Sequence, residues 1–307
     1  MKNITETGLK TPSAVALGFF DGLHLGHIAV VQRALLRGSA ISQESAIPQE
    51  SLCSVVFTFN DKTALPKFRE KKGNCIITYE QKAELFEEVG ADFLYAPDFG
   101  EIKDFSAREF VEKILKDRLC AAYVVCGYDF RFGRGGEGNP DILSALCHEH
   151  GIACEVVPPV RIGGEIVSST EIRRLIRLGE IEKANRLLGY ELSYELPVVK
   201  GNEIGRTIGF PTINQKIPDY MVSPKNGVYK SWTTVDGKTY RSITNIGVKP
   251  TVTDRGEVVT ETHIIGFHGD LYGKTVKISL RGYLRGERKF ESLSALKAQL
   301  SYDKSVV

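Results

Sequence analysis

The stretch Gly18-Phe19-Phe20-Asp21-Gly22-Leu23-His24-Leu25-Gly26-His27 decides how this chain is read. It follows the apolar run Ala14-Val15-Ala16-Leu17 and leads into an amphipathic segment over residues 27–37, which predicts strand, glycine-rich turn and helix start. N–H groups at a helix N-terminus lack intrahelical partners and carry partial positive charge, which suits a phosphate. His24 and His27 add side-chain donors at the same place, and Gly22 and Gly26 let the backbone approach a ligand with no Cβ in the way. A tight turn with a capping histidine explains any one of these residues. Two histidines alternating with two glycines point further, to a nucleotide phosphate.

The 307 residues are enough for two domains, each with its own core. Lys and Arg number 40 against 38 Asp and Glu, so charge gives no reason to expect nucleic acid or an anionic membrane as partner. There is no apolar run of about 18 residues, and residues 1–6 lack a signal-peptide core, so a cytoplasmic protein is expected. The six cysteines, at 53, 75, 120, 126, 147 and 154, form no Cys-x-x-Cys pair and read as reduced core thiols. The expected assembly is a monomer or weak homo-oligomer.

Strand-like runs at 14–17, 54–59, 92–96, 123–126 and 152–157 alternate with helical segments. The helices open at Thr78 with Gln81, at Ser106 with Glu109, and at Asn139-Pro140, while residues 38–51 read as an exposed loop. This alternation predicts an α/β unit with an open parallel sheet and helices on both faces, its ligands bound beyond the carboxyl ends of the strands. Two further loops fall at such ends. One is Gly127-Tyr128-Asp129-Phe130-Arg131-Phe132-Gly133-Arg134-Gly135-Gly136. The other is Val167-Ser168-Ser169-Thr170-Glu171-Ile172-Arg173-Arg174, where Ser168 and Glu171 form a capping box and Arg173, one turn inside, is placed to reach phosphate oxygens at the cap.

The opening string resembles the signature of the HxGH nucleotidyltransferase superfamily and, with Gly18, Phe20, Asp21 and Gly22 in front, its FAD synthetase branch. The two later loops are similar to that family's second and third motifs. The resemblance implies a Rossmann-like domain in which His24 and His27 contact ATP phosphates across a turn that includes Gly26. It implies that the loop with Gly127, Asp129 and Phe130 holds the adenosine, and that Ser169, Thr170 and Arg173 close on the triphosphate. The implied reaction is attack by an FMN phosphate oxygen on the α-phosphorus of ATP with loss of pyrophosphate, Mg²⁺ sharing the charge. One departure concerns the flavin: where the family carries Pro-His-Pro, this chain has Asn60-Asp61-Lys62-Thr63-Ala64-Leu65-Pro66.

Beyond a short helix at 181–188 the pattern becomes strand-like, and the boundary is expected near Gly189-Tyr190, giving domains 1–186 and 187–307. Strands are predicted at 197–200, 228–234, 238–243, 258–267 and 275–280, with Asp236-Gly237 as a hairpin turn and a closing helix at 292–300. These make a small antiparallel β-barrel, expected to be six-stranded. Gly201, Gly205 and Gly209, at four-residue intervals, read as bends in a barrel. Thr212 and Asn214, two apart on an extended chain, face one way and suit a hard cation. Glu261 shares parity with Val259 and Ile265; that face is either the interior, where a carboxylate needs a task, or an exposed surface.

Gly205-Arg206-x-x-Gly209-Phe210-Pro211-Thr212-x-Asn214, Asn226-Gly227-Val228-Tyr229, Asn245-Ile246-Gly247-x-Lys249-Pro250-Thr251, Glu261-x-His263 and Asp270-Leu271-Tyr272-Gly273-Lys274 are similar in order and content to riboflavin kinase. That resemblance implies nucleotide contacts from Gly205, Gly209 and Pro211, metal binding by Thr212 and Asn214, and Glu261 as general base toward the ribityl 5′-hydroxyl of riboflavin. Ile213 replaces the usual alanine, and Gly266 stands where an aspartate is common. The two halves in this order resemble the prokaryotic bifunctional riboflavin kinase/FAD synthetase family. Two rivals stand beside this: a kinase whose N-terminal half transfers a nucleotide to another phosphate ester, and a non-catalytic flavin- or nucleotide-binding regulator.

Overall fold

The structure is a computed structural model and describes residues 1–4, 8–39, 52–60, 73–201, 204–249 and 257–307. Contacts divide the chain into two units, Met1–Glu70 with Thr78–Ser168, and Lys71–Ile77 with Ser169–Val307. The helical residues 169–188 are thus grouped with the second unit.

In the first unit, β1 (Lys2–Asn3), β2 (Ser13–Leu17), β3 (Cys53–Phe57), β4 (Phe93–Tyr95), β5 (Ala121–Gly127) and β6 (Ala153–Val157) form a six-stranded sheet in the order β1-β4-β3-β2-β5-β6. All neighbours in it are parallel. β1 is an edge strand of two polar residues that no hydrophobic pattern announces. Helix α1 (Leu25–Ser39) packs on β2, β3 and β5. On the opposite face Val15, Leu17, Val55 and Phe57 join Phe110, Val111 and Ile114 in one apolar cluster. The latter three belong to helix α3, which follows α2 (Tyr79–Val89) and runs from Ala107–Glu109 into a π-helical stretch, Phe110–Arg118. There Leu119 N–H reaches the Ile114 carbonyl at 2.9 Å, an i→i−5 bond. Of the three expected capping boxes, Thr78 with Gln81 and Ser106 with Glu109 form. Helix α4 (Pro140–Glu149) is capped by Asn139, whose side chain accepts from Ile142 N–H. A small hairpin, β7 (Arg161–Ile162) and β8 (Glu165–Ile166), follows β6. Of the loop expected at 38–51, residues 38 and 39 end α1 and the rest lies outside the described residues.

The second unit begins with helices α5 (Ser169–Leu178) and α6 (Ile181–Leu188). Its sheet comprises β9 (Ser193–Pro197), β10 (Ile213–Lys216), β11 (Gly227–Val235), β12 (Lys238–Lys249), β13 (Glu257–Ile264) and β14 (Thr275–Arg285), antiparallel in the order β10-β13-β12-β11-β14-β9. The barrel is nearly closed. Buried Gln215 on β10 spans the gap between the edge strands, its Nε2 donating to the Leu196 carbonyl of β9 at 2.6 Å and to Val276 O at 2.8 Å. The interior is half hydroxyl: Ser231 bonds Ser242 and Thr244, each at 2.8 Å, and Thr244 bonds Thr262 at 2.9 Å. Val276, Ile278 and Leu280 supply apolar filling at alternate positions of β14, as the sequence pattern requires.

Two strand expectations shift. The strand expected at 197–200 lies at Ser193–Pro197; beyond it Val198 still exchanges backbone bonds with Lys274 and Gly273, and Val199 makes only an isolated bridge to Asn214. The strand expected through Phe267 ends at Ile264, where the chain turns at Gly266 with φ 73°. Asp236 and Gly237, with φ 47° and 78°, make the predicted hairpin turn. Helix α7 (Leu293–Ser305), capped by Ser292, closes the chain.

Candidate active sites

In the first sheet the chain winds outward from β2 through β3 to β4, then crosses back to β5 on the other side of β2. The point of reversal lies between β2 and β5, where an open α/β sheet leaves a crevice beyond its carboxyl ends. Leu17 is in register with Cys126, so the loops starting at Gly18 and Gly127 emerge side by side at that crevice.

Residues 18–24 form a strained turn. Phe20 and Leu23 have φ of 56° and 28°, unusual for residues with a Cβ. The Phe20 ring is buried and meets His27 edge-on at 5.3 Å and Phe86 at 5.5 Å. His24 and His27 stack, their centroids 3.6 Å apart and planes 16° from parallel. The His27 backbone N–H donates to His24 Nδ1 at 3.2 Å, so neutral His24 carries its proton on Nε2. A Cβ on Gly26 would lie 3.1 Å from His24 Cε1 and 3.5 Å from the Val167 carbonyl, and one on Gly18 would lie 2.7 Å from the Phe20 ring. Asp21 and His24 are almost fully buried. The turn therefore brings Gly18, Phe20, Asp21, Gly22, His24, Gly26 and His27 into one packed group.

The second loop is braced. Phe130 N–H bonds the Gly127 carbonyl at 3.1 Å, and Phe132 and Gly138 exchange backbone bonds of 3.3 and 2.8 Å. Arg134 donates to the Asp104 carbonyl, and Glu137 accepts from Ala107 N–H at 2.7 Å. Asp129 stays exposed, its Oδ1 3.4 Å from where a Gly127 Cβ would stand, with Phe130 half-buried beside it. Ser169 and Thr170 open α5 in the second unit, and Arg173 on the same helix donates from Nε to the Asn74 carbonyl at 2.7 Å. Of the atypical segment at 60–66, only Asn60 falls among the described residues.

In the second unit Glu261 of β13 is in register with Asn214 of β10 on one side and Asn245 of β12 on the other. Ser242, Thr244, Thr260 and Thr262 fill the barrel, so the alternating residues Glu261, His263 and Asn245 face outward. That outer face is covered, and Glu261 is half-buried. It borders a cavity of about 340 Å³ also lined by Thr212, Asn245, His263, Arg285 and Leu296, the last on α7. A neighbouring cavity of about 450 Å³ is lined by Pro211, Thr212, Thr262, Phe267 and Leu271, so Thr212 borders both. The loop before β10 is tight. Phe210 N–H bonds the Gly205 carbonyl at 2.8 Å, and Gly209 has φ 82°. His263 Nδ1 lies 2.9 Å from the Pro211 carbonyl, tying this loop to the strand that carries Glu261. Burial is the main reason the His263 pKa falls below its ordinary value; the bond to Pro211 opposes the shift. His263 is thus held neutral, with Nδ1–H donating.

Two residues escape the sequence reading. Lys82 on α2 is buried and bonds the Phe19 carbonyl at 3.1 Å. Its spacing of four from Phe86 was the available signal. Asn245 stands beside Glu261 with its Nδ2 on Glu287 at 3.1 Å, although nothing in its motif singles it out from Gly247 or Lys249.

The fold and these two sites define a two-unit nucleotide-handling transferase. Residues 7–171 match the family described as FAD synthetase, and residues 188–307 match riboflavin kinase. The bifunctional riboflavin kinase/FMN adenylyltransferase of Listeria monocytogenes is 34% identical over 94% of this chain and 89% of its own length. Its counterparts in Bacillus subtilis and Escherichia coli K12 are 32% and 33% identical over 95% and 94% of this chain, each with 90% of its own length covered. A crystal structure of a macrolide-efflux protein from Streptococcus pneumoniae matches with TM-score 0.84 at 30% identity, covering 100% of this chain and 97% of that one. Among the described residues no helix is long and apolar enough to cross a membrane. The chain belongs to the bifunctional riboflavin kinase/FMN adenylyltransferase family.

Proposed function

We propose that the second unit phosphorylates riboflavin to FMN with ATP, and that the first adenylylates FMN to FAD with release of pyrophosphate. The observation that carries this reading is Glu261, a carboxylate set between two asparagines on a covered strand face, at the wall of a cavity that meets the Thr212 loop. Glu261 takes the proton of the ribityl 5′-hydroxyl as that oxygen forms its bond to the γ-phosphorus and the bond to the departing ADP breaks.

Thr212 and Asn214 fit Mg²⁺. A Cβ on Gly201 would lie 2.3 Å from Asn214 Nδ2, so the glycine backbone seats that amide closely. A hydroxyl and an amide oxygen, both neutral, suit a hard cation whose charge is balanced by substrate phosphates. When bound, the ion neutralises charge on those phosphates. Gly205, Gly209 and Pro211 shape the loop that receives the nucleotide.

In the first unit no protein nucleophile is needed, because an FMN phosphate oxygen attacks the α-phosphorus directly. His24 and His27 hold the triphosphate, assisted by the turn of Gly18, Phe20, Asp21, Gly22 and Gly26, and the loop of Gly127, Asp129 and Phe130 receives the adenosine. Ser169, Thr170 and Arg173 are assigned to the same substrate by their motif. We take residues 1–186 and 187–307 as the two catalytic portions. With small molecules as substrates, we place the enzyme in the cytoplasm as a monomer or weak homo-oligomer needing neither nucleic acid nor membrane.

Chromatography of flavins after incubation with ATP, Mg²⁺ and either riboflavin or FMN tests the reading. FMN and FAD are expected from riboflavin, and FAD from FMN. FMN without FAD would refute the assignment of the first unit, and no product would refute both.

A further inference from the structure

Lys82 is 1% exposed, and a buried ammonium group is costly unless its donors are engaged. Its Nζ donates to the Phe19 carbonyl at 3.1 Å and stands 4.6 Å from the Phe19 ring centroid. The same carbonyl accepts from Thr58 Oγ1 at 2.9 Å. Phe86, one helical turn beyond Lys82 on α2, packs on the Phe20 ring, which in turn abuts His27. One face of α2 therefore grips the histidine turn at two successive residues, the first by its backbone and the second by its ring.

We propose that Lys82 is a positioning residue for adenylyl transfer, clamping the Phe19 carbonyl so that the turn presents His24 and His27 to the triphosphate in fixed geometry. The inference rests on the reading of the first unit as the adenylylating half. Three physical effects support it. The 19–20 peptide is trans, so holding its carbonyl toward Lys82 and Thr58 directs the Phe20 N–H the other way. Phe20 sits at φ 56°, a strained backbone that persists only where surrounding contacts over-determine it, as two donors on the preceding carbonyl do. The ammonium also lies one residue behind a turn that receives an anion, in a buried setting where solvent ions screen it little. A leucine or methionine would cover Phe19 at less cost but would supply neither the donor nor the charge.

The test compares Lys82→Met and Lys82→Arg with the wild type in the full-length protein, measuring kcat and KM for FMN adenylylation and for riboflavin phosphorylation. Lys82→Met is expected to lower the adenylylation kcat by roughly ten- to hundredfold, the range of a lost charge-assisted bond, with the riboflavin reaction within about twofold of wild type. Lys82→Arg, which keeps a donor and the charge, is expected to restore most of the loss. Lys82→Met with kcat within about twofold of wild type would overturn the proposal, as would Lys82→Arg as slow as Lys82→Met. If Lys82→Met unfolds the first unit, Thr58→Val decides, since it removes the other donor to the same carbonyl: a lower kcat supports the clamp and an unchanged one overturns it. Wild-type protein that forms no FAD from FMN would refute the reading of the unit itself, a result distinct from any of these.

Discussion

At the level of single residues, Glu261 and the histidine beside it decide the chemistry and the pH response of the second unit. Glu261→Ala is expected to lower FMN formation by about 10²- to 10⁴-fold, the usual weight of a general base, while FAD formation from supplied FMN continues. Flavin chromatography with each substrate checks this, and loss of both reactions would count against separate sites. His263 gives a pH prediction. Burial holds its pKa in the folded protein below the ordinary value of 6.5. Between the lowered value and 6.5 the unfolded chain binds more protons than the folded one, so stability is complete above this window and declines as pH falls through it. Trp232, the chain's one tryptophan, lies on β11 and reports on the unit that contains His263. Its urea midpoint should fall between about pH 7.5 and about pH 5.5, and by less in His263→Gln. An equal fall in both proteins would contradict the assignment.

At the scale of elements, α7 matters because it roofs the Glu261 cavity. It is held by a buried ion pair: Asp303, 2% exposed, accepts from Arg285 Nε and Nη2, the shortest contact being 2.6 Å, and from Gln299 Nε2 at 2.8 Å. Asp303→Ala strands the Arg285 guanidinium and should destabilise the unit by about 3–5 kcal/mol while raising the KM for riboflavin. Urea unfolding followed at Trp232 checks the first effect, and a change below about 1 kcal/mol would mean that the pair does not hold the helix. Elements also mark where sequence reasoning stops. The capping boxes at Thr78 and Ser106, the Asp236-Gly237 turn and the alternation in β14 were legible because each is a local rule expressed in local residues. The face of Glu261 was not. Parity placed it with Val259, but the covering of that face comes from residues 285–300, remote in sequence. Lys82 was hidden for a related reason, since a lysine on an amphipathic helix ordinarily marks its wet side.

At the scale of the molecule, one chain carries two reactions in which the product of one is the substrate of the other. The α/β order of the first half and the barrel of the second were readable from periodicity. The histidine turn was singled out by residue chemistry at fixed spacing, while the roles given to Thr212 and Asn214 and the substrates came from family resemblance. We propose that residues 1–186 and 187–307 each carry a complete chemistry. The decisive experiment supplies riboflavin, ATP and Mg²⁺ to His27→Ala protein, to Glu261→Ala protein, and to an equimolar mixture of the two. FMN without FAD is expected from the first, neither product from the second, and FAD from the mixture, as FMN released by one protein is adenylylated by the other. A mixture that makes FMN but no FAD, or a His27→Ala protein that makes FAD at the wild-type rate, would contradict it.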